Sequence, residues 1–377
     1  MFTAIWDNEK FRSVFIQMLL LGLFVGLIWW LAGNAVSNLV ARGIPVGFGF
    51  LSNPANFPIS ESILDYDGQD SFLWAYVVGL SNTVLIAVLT IVAATIAGLF
   101  VGLARRSSHP VLRRVADVYV NTVRNMPLVV QLLFWYVLGT TSLPRAREAL
   151  EPLSGVFISV RGIFLPGLTF SGPVVWVLIL VACVLIALAV FRRVFFASRR
   201  HAAISSGGFI VFAGTVWQVA GVTMNVEIPR LEGFNFTGGL RLSVELVSLL
   251  IGMTIYTAAY IGEIIRGGID AVDRGQWEAA RSLGLSEKQV LMHIILPQAL
   301  RIIIPPLTTQ YISTVKNTTL ALAVGYPELS LVVGTVINQT GQAIESILIL
   351  LGSFLLLNLL VSIFMNWCNK KVALVQR

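Results

Sequence analysis

Long uninterrupted apolar runs constrain the fold of this chain more than any other feature. The first, at 14–31, follows Lys10 and Arg12 and ends with Trp29 and Trp30. A helix needs about 20 apolar residues to cross a bilayer, and Trp is typical of the membrane interface. With 56% hydrophobic and 12% charged residues, the chain has the composition of a membrane protein. Its long runs favour helices over a barrel, whose strands alternate in short segments.

The runs predict an all-α polytopic protein with about eight spans. The first run is long for the core of a cleaved signal peptide, which is the alternative there, and no small-x-small site directly follows it. A polar loop is expected at 33–72. The segment 320–338 contains Gly325, Pro327 and Glu328, which favours a re-entrant or interfacial piece. The remaining spans are expected at 74–103, 119–138, 174–191, 207–222, 244–265, 300–319 and 344–367.

The basic residues indicate the topology. With both termini in the cytoplasm, eighteen of the 26 Lys and Arg residues lie in inner loops, as the positive-inside rule requires. This orientation places residues 266–300 in the cytoplasm. The net charge of +7 comes from short clusters between apolar runs rather than from one basic face, so nucleic acid is not an expected partner.

Several kinds of chemistry are disfavoured by the sequence. Cys183 and Cys368 lie apart in apolar runs, which gives no disulfide framework and no metal-ligand spacing. No G-x-x-x-x-G-K-[ST] motif is present, so we expect no ATP phosphate site and no bound cofactor. A membrane enzyme remains an alternative because three acids lie near span ends, although no nucleophile and base accompany them. Those acids are Glu245, Glu263 and Glu328.

A polar, charged stretch at 275–286 interrupts the apolar pattern. Residues 276–283 favour a helix, Gly284 permits a left-handed turn, and Ser286 with Gln289 predicts a capping box for a second helix. Pro297 is expected to end that second helix. The first helix can present Trp277, Ala280 and Leu283 on one side, where they would enter a cleft on a partner.

Together with residues 294–298, this stretch resembles the EAA loop of ABC importer permeases. The run 262–280 resembles the polar amino acid subfamily, and so do 124–132 and 316–320, which match motifs on its second and fourth core helices. The resemblance implies a type I importer fold with a five-helix core. It also implies an ATPase-coupling site at Gln276, Trp277, Glu278, Ala279, Ala280, Leu283, Gly284, Leu296 and Pro297.

The resemblance covers roughly 79–131 and 242–377, and it divides the chain into four parts. Residues 1–72 form an N-terminal span and a periplasmic loop, and 73–140 hold the first two core helices. An insert at 141–241 carries two further spans. Residues 242–377 contain core helices three to five and the coupling loop at about 266–300. The insert is similar to that of the larger permease subunit of general L-amino-acid importers; assembly and docking of a binding protein are both open as its role.

A small set of polar residues is expected to line the substrate path. Lys316 is the strongest candidate, because a charged side chain within a span costs free energy unless it snorkels to the interface, pairs with another group or contacts a substrate carboxylate. The resemblance implies carboxylates in the path of members that carry basic amino acids, whereas this chain has the amides Gln310 and Asn317. We therefore expect neutral or broad side-chain specificity. The full set of candidates is Gln131, Gln310, Lys316, Asn317, Thr318 and Asn338.

The family resemblance also implies an assembly in the bacterial inner membrane. It consists of two copies of an ATPase that uses ATP and Mg, a second permease subunit, and a periplasmic amino-acid-binding protein. Analogy to the insert-bearing relatives favours a heterodimer of permeases. A non-transporting scaffold or assembly subunit of a larger membrane complex is the alternative.

Overall fold

Helices dominate the computed structural model, which describes residues 9–41, 43, 46–171 and 223–372. This confirms the predicted polytopic helical class for the described residues. In chain order the helices are α1 Glu9–Ala41, α2 Phe72–Arg105, α3 Pro110–Asn125, α4 Leu128–Ser142, α5 Val244–Asp270, α6 Arg274–Ser282, α7 Glu287–Gln289, α8 Leu296–Asn317, α9 Leu329–Thr340 and α10 Ala343–Val372.

Among the described residues, five helical segments are long and apolar enough to cross a membrane. Each contains or overlaps one predicted span. The expected loop at 33–72 begins later than predicted, because α1 continues to Ala41. The spans predicted at 174–191 and 207–222 lie outside the described residues. The five segments are Arg12–Asn38, Phe72–Arg105, Val244–Asp270, Glu287–Val324 and Ala343–Val372.

The span predicted at 119–138 is wrong. The helical path breaks at Met126, whose backbone is extended with φ −99° and ψ 132°. Pro127 explains the break, because the ring of a proline disfavours helical backbone at the preceding residue. The result is an amphipathic α3 followed by an apolar α4 of 15 residues, a length of about 22 Å.

Close packing joins α2 to α5. Ala94 and Gly98 lie one helical turn apart on α2, and Gly102 follows one turn later. A Cβ atom added at Gly98 would come within 2.7 Å of the Ile261 side chain, and one added at Gly102 within 2.8 Å of the Gly262 carbonyl. Small residues at this spacing let two helix backbones approach closely, which is the main way helices pack within a membrane.

A separate apolar cluster joins the first turns of α2 and α10 to α9 and the loop at 46–71. Phe50, Phe72 and Leu329 are buried in it. Polar contacts support the same region. The Tyr76 hydroxyl donates to Ser346 Oγ at 2.8 Å, and the Gly47 amide donates to Glu345 Oε1 at 2.6 Å. This loop is therefore an ordered part of the helical unit.

The described part of the insert adds eight short strands to the mainly helical fold, and these strands were not predicted. Packing of Phe236 against Phe157 and Phe164, with ring centroids 4.7 Å apart in both pairs, builds a small core there. One antiparallel sheet has four strands in the order β1-β2-β3-β8, and these are β1 Leu150–Leu153, β2 Val156–Ser159, β3 Gly162–Leu165 and β8 Leu240–Leu242. Two further sheets have two strands each. They pair β4 Gly167–Ser171 with β5 Thr223–Glu227, and β6 Arg230–Glu232 with β7 Asn235–Thr237.

The chain folds into two compact units. One unit is Phe134–Ser248, which includes the insert. The other combines Met1–Leu133 with Leu249–Arg377. The stretch 275–286 and all the predicted substrate-path residues belong to this second, helical unit.

Candidate functional site

The predicted hinge of the polar stretch is confirmed. Asp273 caps the start of α6, because its side chain accepts a hydrogen bond of 2.6 Å from the Gly275 amide. After α6, Gly284 has a φ of +75°. Ser286 and Gln289 then form a complete capping box, in which each side chain accepts from the backbone amide of the other residue.

The second helix of this stretch differs from the expectation. It consists of the single turn α7, and a π-helix at Val290–Ile295 follows at once and leads into α8. Pro297 does not break the chain here. It lies in the first turn of α8, directly after the π-helix, where the Leu296 amide still donates to the Leu291 carbonyl and the backbone remains helical. The polar stretch is therefore in helical continuity with a long apolar helix.

Two α6 side chains that were predicted to face a partner, Trp277 and Ala280, are partly or fully buried within the chain. Ala280 is only 4% exposed and is buried with Ile269, Val290 and Ile295. Trp277 packs against the same cluster and is partly buried. The expectation that Ala280 shares an exposed side with Leu283 was therefore wrong. The exposed coupling candidates on this stretch are Gln276, Glu278, Ala279, Leu283 and Gly284, while Leu296 and Pro297 are half-buried.

Two arginines lie against the Trp277 ring. The guanidinium carbon of Arg106 is 5.4 Å from the ring centroid, and that of Arg281 is 5.7 Å from it, both within the range of a cation–π contact. Arg281 also donates from Nε and Nη2 to the two carboxylate oxygens of Glu287, at 2.7 and 3.1 Å. This hydrogen bonding raises the pKa of Arg281. The pair bridges the hinge at Gly284.

An ion network connects three helices next to α6. Arg105, whose side chain is 11% exposed, pairs with Asp117 of α3 at 2.7 Å and with Glu263 of α5. Arg106 pairs with Asp270 of α5 at 2.8 Å. Arg266 bridges Glu263 and Asp270 at 2.6 and 2.9 Å. Three cations thus face three anions, so the partly buried charges are compensated.

Gln131, one of the predicted substrate-path residues, has a structural contact in this chain. It is 6% exposed, and its amide nitrogen donates to the carbonyls of Val123 and Met126 at 3.0 and 3.1 Å. The break at Pro127 removes the i+4 helical partner of each carbonyl, because Pro127 has no N–H and the Val130 amide donates to the Pro127 carbonyl instead. The Val123 carbonyl also accepts a bond of 3.4 Å from the Met126 amide. Both side-chain donors of Gln131 therefore stabilise the break between α3 and α4.

The other path candidates lie on α8, α9 and the 3-10 helix between them. Lys316 occupies the last turn of α8, where it is exposed and forms no ion pair within the described residues. Thr318 is fully buried and donates to the Val315 carbonyl at 2.7 Å. Gln310 and Asn317 are half-buried, and Asn338 is exposed.

A buried polar cluster that was not predicted joins α2 to the start of α9. The Asn82 amide donates to the carbonyls of Glu61 and Pro327 at 2.8 and 2.9 Å. Thr83 Oγ1 lies 3.4 Å from Glu328 Oε2 and accepts from the Leu329 amide at 3.1 Å. Glu328 has no exposed surface and caps α9. An acid directly before an apolar helical run was the available signal.

The described residues contain no group of three or more His, Cys, Asp or Glu side chains that could hold a metal ion. The candidate site is thus an exposed helix and hinge, an ion network behind it, and scattered polar groups on α8 and α9. Such an arrangement suits the docking of a partner protein and movement of the helix on which it docks.

Comparison with known proteins decides the family. The model of the binding-protein-dependent transport system inner membrane component family matches residues 94–374. This chain belongs to that family. The recognition of a transport permease subunit of the type I importer fold is therefore confirmed, as is its place as a multi-pass membrane protein.

Three relatives resemble this permease over almost its full length. YhdX of Escherichia coli is 40% identical over 98% of this chain and 96% of its own. AapQ of Rhizobium johnstonii, a general L-amino acid transport system permease protein, is 38% identical over 100% of this chain and 95% of its own. BztB of Rhodobacter capsulatus, a glutamate/glutamine/aspartate/asparagine transport system permease protein, is 35% identical over 98% and 96%. The insert is thus included in these matches.

Proposed function

We propose that this permease carries L-amino acids into the cytoplasm as part of an ABC importer, and that it is driven by a separate ATPase through the segment 274–297. The observation that carries the proposal is the exposed hinge after α6. Leu283 is 79% exposed there and Gly284 has a left-handed backbone. An exposed large apolar side chain on a short helix is typical of a protein-docking contact.

The proposed energy source lies outside this chain. Two copies of an ABC ATPase would bind ATP and Mg and dock at α6 and its hinge from the cytoplasm. We propose that both termini lie on that side too. The continuity from α7 through the π-helix to α8 supports this coupling, because a push on the hinge acts directly on a membrane helix. Closure of the ATPases would then rock two permease subunits between inward and outward access.

The substrate class is supported by the relatives. AapQ is named for general L-amino acid transport and BztB for four acidic and amide amino acids. We infer broad selectivity for this permease too, with delivery by a periplasmic amino-acid-binding protein. A second, different permease subunit is the proposed partner in the membrane. Gln310, Lys316, Asn317, Thr318 and Asn338 stay candidates for the path, whereas the contacts of Gln131 favour a structural role.

Affinity purification from the native membrane tests the proposal. The unmodified chain is expected to retain a P-loop ATPase and a second permease in mild detergent. Glu278→Lys, on the exposed side of α6, should lower ATPase recovery roughly ten-fold, because a reversed charge at an interface opposes docking. Gly284→Val should act in the same direction, since a β-branched residue is strained at positive φ.

Asp65→Lys is the matched control, because Asp65 is an exposed acid in the loop at 46–71. It should keep full ATPase recovery. Recovery of no ATPase with the folded, unmodified chain would favour the scaffold alternative. Normal recovery and uptake in both Glu278→Lys and Gly284→Val would show that docking occurs elsewhere.

A further inference from the structure

Among the described hydrogen bonds, ion pairs and ring contacts, a single side chain connects the end of α2 to the coupling helix α6. Arg106, which directly follows α2 as its C-cap residue, donates from Nε to Asp270 Oδ1 at 2.8 Å. Its guanidinium carbon also lies 5.4 Å from the centroid of the Trp277 ring. Asp270 is the last residue of α5, and Trp277 belongs to α6. One guanidinium group therefore contacts both elements that carry the coupling loop.

We infer that Arg106 is a positioning residue for coupling: it fixes α6 to the ends of α2 and α5, so that a displacement of α6 moves both membrane helices together. The inference rests on the proposed function, in which an ATPase moves α6. Without Arg106, the described side-chain hydrogen bonds and ring contacts of α6 lead only to Asp273 in the turn after α5, to Glu287 of α7 and to Gln298 in the first turn of α8. Movement of α6 would then reach α2 only indirectly.

The neighbouring arginines do not have this arrangement. Arg105 is committed to Asp117 and Glu263, and Arg266 contacts only acids of its own helix. Arg281 also lies against Trp277, but it belongs to α6 itself. Arg106 is the member of the network that crosses from a membrane helix to the coupling helix.

The structure also indicates that Arg106 can be replaced without unfolding the protein. Its side chain is 27% exposed, and its partner Asp270 keeps a second cation, since Arg266 Nη1 donates to Asp270 Oδ2 at 2.9 Å. Removing Arg106 therefore leaves no unpaired buried acid, which is the usual cause of severe loss when an ion pair is broken. A coupling defect can be measured in an assembled complex.

Transport per ATP hydrolysed, measured in proteoliposomes, tests the inference. The complex is purified with its ATPase and second permease, and uptake of a tritiated L-amino acid mixture is measured with the binding protein present. For Arg106→Gln we expect ATPase recovery within about twofold of the unmodified complex and an uptake-to-hydrolysis ratio lowered about five- to ten-fold. Arg106→Lys keeps the charge for Asp270 and Trp277 and should retain at least about half of the ratio.

Arg114→Gln is the matched control. Arg114 is exposed on α3, at the same end of α2, and forms no ion pair or ring contact within the described residues. It should leave the ratio unchanged. Asp270→Asn removes the acidic partner of Arg106. It should lower the ratio only about two- to three-fold, less than Arg106→Gln does, because the contact between Arg106 and Trp277 remains.

The outcomes separate this inference from the proposed function. An unmodified complex that contains no ATPase, or takes up none of the amino acids, contradicts the proposed function and the inference with it. If the unmodified complex transports, an unchanged ratio in Arg106→Gln and Asp270→Asn overturns the inference alone. An equal loss in Arg114→Gln would also overturn it, because the effect would then reflect surface charge. Should Arg106→Gln not assemble, Asp270→Asn decides by the same criterion.

Discussion

At the scale of single residues, two polar side chains predicted to share one role have different surroundings. Gln131 uses its amide nitrogen to satisfy two backbone carbonyls at the break after α3. Lys316 is exposed in the last turn of α8, with no ion pair within the described residues. Two explanations apply to Lys316: a contact with a substrate carboxylate, or stabilisation of the helix end, where a cation contributes about 0.3–1 kcal/mol.

Lys316→Met separates these explanations. If the ammonium contacts the substrate, we expect uptake to fall roughly ten-fold through a raised KM, because a charge-assisted hydrogen bond is lost, with the melting temperature nearly unchanged. Lys316→Arg should retain most of the uptake. Lys370→Met removes an exposed lysine in the last turn of α10 and should have no effect. A lowered melting temperature with normal KM in Lys316→Met would assign Lys316 to the helix end.

At the scale of elements, local hydrogen bonding was predictable and tertiary placement was not. The capping box at Ser286 and the turn at Gly284 follow from short-range rules. The break before Pro127 was also predictable, since a residue preceding proline avoids helical backbone. It was missed because the apolar run at 119–138 was interpreted as one continuous span. Ala280 was placed on the wrong side because its burial depends on α5 and α8. The strands of the insert were missed because each contains only three to five residues.

The contact between α2 and α5 gives the element-scale prediction. Gly98→Val should lower the free energy of unfolding by about 1–3 kcal/mol, because overpacking forces helices apart or side chains out of their rotamers. The measurement is the melting temperature of the purified protein in mild detergent. Gly352→Val on α10 is the control, since a Cβ there meets no atom within 4 Å. Equal melting temperatures for the two variants would contradict the proposed packing constraint.

At the scale of the whole molecule, the insert returns the chain close to where it leaves. A Cβ added at Gly139, near the end of α4, would lie 2.8 Å from Val244 Cγ1, at the start of α5. The strands β3 and β8, which lie near the two ends of the insert in sequence, pair directly. Within the unit Phe134–Ser248 the two ends of the insert are therefore adjacent, and we expect a short linker to connect Ser142 to Ser243.

Two nested deletions test what the insert contributes. The smaller joins Ser171 to Thr223, which pair in register, through a two-residue Asn-Gly turn that suits a hairpin. The larger replaces residues 143–242 with a short Gly/Ser linker. We expect both variants to retain the ATPase within about twofold of the unmodified chain, because the coupling helix and its ion network belong to the other unit. The measurement is ATPase recovery per permease after affinity purification.

Loss of the ATPase from a folded larger deletion would contradict this division of roles. Loss of the second permease already in the smaller deletion would assign residues 172–222 to assembly, because that variant keeps every described strand of the insert.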